Sequence, residues 1–231
     1  MKFIFIGIFF ILTISCSVKA MYNESYLSDK VVVLDFNNYY SIIPICYEMD
    51  RAIIFYPGGL VEPDAYIPIA ALMAEEINIA VFIQKMPMNL AVLGSRRADE
   101  ILDEYNYIDK WYMGGHSLGG VMAASYIWDN PDPFDALFLV ASYPMEKKSL
   151  RDSHIPVLSI SGSEDGVINK KKLAASNELL PNDVLFQEII GANHSQFGSY
   201  GKQKEDNEPL ITEYNQQYEV VYLIKYFLEN L

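Results

Sequence analysis

The 231-residue chain carries 30 acidic against 17 basic side chains, a formal net charge of −13. Such a chain repels phosphate backbones and anionic bilayers, which excludes nucleic acid as a partner. Hydrophobic residues make up 51% and charged residues 20%, a balance that suits one substantial globular core and not a disordered chain.

Residues 3–18 carry no charge and are rich in Phe and Ile. The stretch is short for a bilayer-spanning helix and suits the apolar region of a secretory signal. Val18-Lys19-Ala20 loosely fits the small-x-small pattern of signal peptidase cleavage. Thr13-Ile14-Ser15-Cys16 resembles a bacterial lipobox, relaxed at Thr13, in which Cys16 becomes the lipidated first residue. An uncleaved signal anchor is the third reading. The expected organisation is a signal over 1–20 and a single domain over 21–231. The protein is then exported, either secreted or tethered to a membrane through an N-terminal lipid. The other cysteine, Cys46, has no internal partner once Cys16 is lipidated or removed, and reads as a core residue.

Along the rest of the chain short apolar runs alternate with helical patterns. Residues 31–36 and 40–46 read as two strands joined at Asn37-Asn38, and 51–59 as a buried strand stopped by Pro57-Gly58-Gly59. A helix over 64–76, a strand over 79–84 and a short helix over 95–104 follow. Next come a strand over 110–115, a helix over 118–128, and strands over 135–142 and 156–162. A helix over 169–180, a strand over 184–190 and a closing helix over 210–230 complete the chain. This alternation predicts an α/β fold with a mostly parallel sheet, helices on both faces and an antiparallel start. In such sheets chemistry gathers at the carboxyl ends of the strands.

Gly115-His116-Ser117-Leu118-Gly119 falls where an apolar strand gives way to a helix. That pattern places a serine on a strained turn, with glycines removing side chains that would clash across it. A nucleophilic serine needs a base, an acid that orients the base, and donors for an oxyanion. The chain has three histidines. His116 adjoins the serine and must diverge from it, so it reads as packing. His154 precedes a strand and reads as a surface residue. His194, in "GANHSQFGSYG", follows the last strand, where a base reaches over the sheet edge. Between Ser117 and His194, "SISGSEDGVI" offers Asp165 as the acid, with Glu164 in reserve. The order Ser117, Asp165, His194 is the one α/β-hydrolases use. The oxyanion donors are expected to be the Leu118 N–H and one from "YPGGLVEPDAY", either Gly59 or Leu60.

Five stretches together, "IFYPGGLVEPDAYIPIAALMAEE", "QKMPMNLAVLGSRRADEIL", "GGHSLGGVMAASYI", "LSISGSEDGVI" and "GANHSQFGSYG", resemble a family of compact bacterial α/β-hydrolases in the dienelactone-hydrolase and esterase clan. The resemblance covers roughly residues 50–231 and implies Ser117, Asp165 and His194 as a catalytic triad. Dienelactone hydrolases proper carry a cysteine at the elbow, so Ser117 points to esterase-type chemistry; a dehalogenase would need an aspartate there. Relatives often insert a lid between the strands matching 135–142 and 156–162. Here "YPMEKKSLRDSHI" is too short for a cap domain. The site is expected to be open, roofed by 85–89 and 195–209, with Met86, Met88 and Phe197 as candidate lining.

The expected activity is hydrolysis of a carboxylic ester or thioester through an acyl-Ser117 intermediate, on a small-molecule acyl substrate, with no cofactor and no metal. Small neutral acyl groups are favoured by the shallow site, by Glu62 and Asp64 on the entry loop, and by the overall charge. The competing classes are an acyltransferase and a non-catalytic surface binding protein on the same fold.

Overall fold

The computed structural model describes residues 17–21, 28–45 and 49–231. Cys16 and Cys46 both lie outside the described residues. The strands are β1 (Val31–Asp35), β2 (Tyr39–Pro44), β3 (Arg51–Tyr56), β4 (Ala80–Gln84), β5 (Lys110–His116), β6 (Phe134–Val140), β7 (Val157–Gly162) and β8 (Leu185–Ile189). The helices are α1 (Ile67–Ile77), α2 (Ala98–Glu104), α3 (Leu118–Asp129), α4 (Lys170–Ala175) and α5 (Glu213–Glu229).

Period-2 alternation in β3 divides its side chains between two cores. Ile53 and Phe55 join a cluster with residues of α1 and α5. Ala52, Ile54 and Tyr56 join a second cluster with residues of α2 and α3. The sheet is therefore buried on both faces, which is why its central strands read as continuous apolar runs. The strand order is β1-β2-β4-β3-β5-β6-β7-β8. β1 and β2 pair antiparallel with each other, β2 pairs antiparallel with β4, and the remaining pairs are parallel. The expected α/β architecture is thus the observed one.

Chain direction across the sheet reverses at β3. From there α1 leads to β4 on one side, and the chain then returns to lay β5 on the other. Ligand crevices open at such reversals, beyond the carboxyl ends of the strands. Gly58-Gly59 after β3 and Ser117 after β5 both fall there.

Local chemistry sets the ends of the helices. The expected helix at 64–76 begins as a 3-10 turn over Pro63–Tyr66 and ends where Asn78 takes the left-handed conformation, φ 56°. That conformation stops helix propagation, and Asn tolerates it better than most residues. The expected helix at 169–180 is α4 followed by a 3-10 turn, Ser176–Leu179. α5 starts later than expected because the Thr212 side chain caps it, accepting from the Asn215 N–H at 3.2 Å. Between β6 and β7 there is no helix or strand, so that connection forms no cap.

Residues 17–21 lie against this edge. The Val18 N–H donates to Leu60 O at 2.7 Å, and the Glu62 N–H donates to Val18 O at 3.0 Å. The Met21 N–H donates to Ser199 O at 2.7 Å, and the Asn89 amide donates to Ser17 Oγ at 2.8 Å. The strap thus touches both the loop after β3 and the loop after β8.

Candidate active site

The chain turns sharply from β5 into α3 at Ser117, whose φ of 52° and ψ of −124° are unfavourable for a residue with a side chain. Such a conformation costs about 1–3 kcal/mol and persists only where the surroundings impose it. Three bonds do so here. The Ser117 N–H donates to Val140 O at 3.0 Å, and its carbonyl accepts from Ser142 Oγ at 2.8 Å and the Val121 N–H at 3.2 Å. The glycines allow the close approach. A Cβ on Gly119 would lie 2.1 Å from Tyr56 O, and one on Gly115 would lie 2.6 Å from the Gly119 carbonyl carbon.

Asp165 and His194 are brought together from the ends of β7 and β8. Both are buried, and His194 Nδ1 lies 2.7 Å from Asp165 Oδ2. A carboxylate accepts, so the Nδ1 carries the proton and the Nε2 keeps its lone pair. The other Asp165 oxygen accepts from the Val167 and Ile168 N–H groups, each at 2.8 Å. Glu164 is turned elsewhere: its Oε1 accepts from its neighbour Ser163 Oγ at 3.0 Å. Of the two adjacent carboxylates, only Asp165 meets the imidazole.

His116 is fully buried, and its ring centroid lies 4.5 Å from that of His194. The Tyr66 hydroxyl is 2.8 Å from His116 Nδ1 and accepts the Gly58 N–H at 3.0 Å. The phenol has no other acceptor among the described residues, so its proton goes to Nδ1, which makes His116 the neutral Nε2-protonated tautomer. Burial holds the His116 pKa well below the ordinary imidazole value, and the neighbouring His194 adds to the effect. Burial likewise raises the Tyr66 phenol. His116 therefore packs, as expected, and also props the loop after β3. His154 is exposed.

The two candidate amides after β3 are not equivalent. The Leu60 N–H donates to Asn89 O at 2.7 Å, with Leu60 at φ 63° and Asn89 at φ 54°. That bond removes Leu60 as a donor to any ligand, which corrects its inclusion among the candidates. The Gly59 N–H makes no hydrogen bond among the described residues. Gly59 lies against Leu118, since a Cβ there would sit 2.8 Å from Leu118 Cδ2. Leu118 opens α3, where the first N–H groups lack intrahelical acceptors.

The roof differs from expectation. Phe197 is fully buried in the core beside His116, ring centroids 5.6 Å apart, and Met86 is buried in the opposite core. Met88 alone is exposed. Asp64 lies within the 3-10 turn Pro63–Tyr66, and its Oδ1 is buried with no hydrogen-bond partner among the described residues.

Two residues beside the site escaped the sequence reading. Gln216, buried in α5, braces the His194 loop in both directions. Its Oε1 accepts the Asn193 N–H at 3.0 Å and its Nε2 donates to Asn193 O at 2.7 Å. Its spacing to Val220, Ile224 and Phe227 follows the buried helical stripe, a signal that was available. Asp206 is the second. It is buried and accepts from the Gly166 and His194 N–H groups, yet in the sequence its loop reads only as part of the 195–209 roof.

Residues 52–218 match the alpha/beta hydrolase family, and the chain belongs to that family. A search by sequence among curated proteins finds no match. Solved structures share the fold at low identity. A predicted CIB-like hydrolase from Thermoplasma acidophilum matches with a TM-score of 0.63 at 17% identity, over 87% of this chain and 98% of that one. Est1E from Butyrivibrio proteoclasticus matches with a TM-score of 0.62 at 14% identity, over 87% and 98%. A dienelactone hydrolase from Anabaena variabilis matches with a TM-score of 0.58 at 15% identity, over 87% and 96%.

Proposed function

We propose that this alpha/beta hydrolase is a serine hydrolase that cleaves a small carboxylic ester or thioester through an acyl-Ser117 intermediate. The observation that carries the reading is the buried 2.7 Å Asp165–His194 pair, with the His194 ring 4.5 Å from that of His116, the residue that precedes a serine in a strained elbow. In the proposed cycle the His194 Nε2 takes the Ser117 hydroxyl proton as Oγ attacks the substrate carbonyl carbon. The oxyanion accepts from the Gly59 and Leu118 N–H groups, the second at the positive end of α3. Collapse of the adduct breaks the ester bond, and His194 returns the proton to the leaving alcohol or thiol. Water then repeats the sequence on the acyl-enzyme, and Asp165 stabilises the imidazolium in both halves.

Small neutral acyl groups fit this reading, because the β6–β7 connection forms no cap and two of three candidate lining side chains belong to the cores. A site that buries little of a long chain gains little from each added methylene.

The chain is exported in this reading, with processing at Cys16 preferred over cleavage after Ala20. Support comes from residues 17–20, which carry the hydrogen bonds to Leu60, Glu62 and Asn89. A cut after Ala20 discards those bonds, and a cut before Cys16 keeps them.

Labelling with a fluorophosphonate, followed by esters of graded acyl length, tests the catalytic proposal. The expected result is a single adduct on Ser117, lost together with turnover in Ser117→Ala. The nucleophile of a triad contributes on the order of several powers of ten in rate. Undiminished ester hydrolysis in the variant contradicts the mechanism. An inert wild type points instead to the binding-protein class.

A further inference from the structure

We propose that Asp206 is a positioning residue that clamps the acid turn and the base loop into one unit; this rests on the serine-hydrolase reading. Asp206 is 6% exposed and has no ion pair among the described residues. Its two oxygens accept from five donors. Oδ1 takes the Gly166 N–H at 3.1 Å, the His194 N–H at 3.2 Å and the Asn207 N–H at 3.0 Å. Oδ2 takes the Ser195 N–H at 2.7 Å and the Ser195 hydroxyl at 2.8 Å. Gly166 directly follows Asp165, and His194 is the base itself. One buried carboxylate thus holds the backbone on both sides of the acid–base pair.

The physical need follows from where the pair originates. Asp165 and His194 come from loops after different strands, and one 2.7 Å bond joins their side chains. A shift of about 1 Å in such a constellation costs on the order of a hundredfold in rate. Charge-assisted bonds to Asp206 are stronger than neutral ones and oppose that shift. The loops also meet at the backbone: a Cβ on Gly166 would lie 2.6 Å from Glu205 O and 2.9 Å from Asn207 N. An amide cannot replace the carboxylate. Each oxygen accepts at least one backbone N–H, so an NH2 group at either position sets donor against donor.

The test uses the full chain with Asp206→Asn. The expected result is a kcat for a neutral ester lower by about ten- to a hundredfold with KM within about twofold, because geometry and not binding is lost. Unchanged turnover per fluorophosphonate-reactive site overturns the proposal, since a purely stabilising residue changes only the amount of folded protein. Because Asp206 acts through the pair, adding Asp206→Asn to Asp165→Asn should cost less than about threefold more. Losses that multiply in full overturn it as well. Amide hydrogen exchange should quicken in Asp206→Asn at both 163–168 and 193–196; loosening of one segment alone contradicts a clamp. Exchange needs no activity, so it tests the clamp even if the wild type proves inert to esters and probe. If Asp206→Asn does not fold, Ser195→Ala removes a single donor. A few-fold kcat loss and faster exchange at both segments are then expected, and no change in either overturns the proposal.

Discussion

The imidazoles of His116 and His194 lie with ring centroids 4.5 Å apart, and only one of them has a carboxylate. His194 faces Asp165, whereas His116 faces the Tyr66 hydroxyl in a fully buried setting. Burial and the adjacent imidazole both disfavour charge on His116, so the arrangement keeps it neutral.

That asymmetry makes stability depend on pH. The folded His116 pKa lies below that of the unfolded chain, so in the interval between them only the unfolded state binds the proton. Stability is complete above about pH 6.5 and falls below it, with a slope of up to about 1.4 kcal/mol per pH unit from this group. Denaturant midpoints at pH 7, 6 and 5 should decline less steeply for His116→Gln than for the wild type. Parallel declines would refute the assignment.

Tyr66→Phe removes one hydroxyl and strands two buried groups, the Gly58 N–H and His116 Nδ1. Unsatisfied buried groups cost about 1–3 kcal/mol each, and relaxation recovers part of that, so a destabilisation of about 2–4 kcal/mol is expected. Ester turnover should fall too, because the Gly58-Gly59 backbone loses its anchor. A variant as stable as the wild type would show that the loop holds without the tyrosine.

Asp165→Asn should lower kcat by about a thousandfold or more, and Glu164→Gln by less than about threefold. Only the first disturbs the bond that sets the His194 tautomer. The opposite ranking in steady-state assays would transfer the acid role to Glu164.

The strap makes a prediction about processing. A chain starting at Met21 should melt below one starting at Ser17, because it loses the bonds to Leu60, Glu62 and Asn89. Mass spectrometry of protein from the exporting host should find a lipidated N-terminal Cys16, and Cys16→Ala should leave the membrane fraction. An unmodified N-terminus at Met21 would establish ordinary secretion.

With a net charge of −13, an approaching anion meets an unfavourable potential. Neutral esters should show higher kcat/KM than matched carboxylate-bearing ones, and the gap should narrow as salt screens the field. Faster turnover of the anionic ester at low salt would reveal a cationic subsite.

Much of the architecture was legible because its signals are local. Apolar runs of strand length, separated by helical spacing, are enough to specify a parallel sheet, and Gly-x-Ser-x-Gly needs only five neighbouring residues to mark the elbow. The order Ser117, Asp165, His194 could likewise be read along the chain. Helix ends were less legible, since a 3-10 turn at Pro63–Tyr66 and a cap at Thr212 alter the boundary without altering the pattern.

What the tertiary structure decided concerns partners distant in sequence. Leu60 and Gly59 look alike as donors until Asn89, from the next loop, takes the Leu60 N–H. Phe197 reads as a candidate for lining the site until the 195–197 turn folds it beneath His116. Asp206 reads only as part of the 195–209 roof until the turn at 203–206 carries it under two loops and gives it five donors. Periodicity reports which face of an element is buried. It cannot report which loop hydrogen bond is already taken, because that depends on backbone brought together only when the sheet closes.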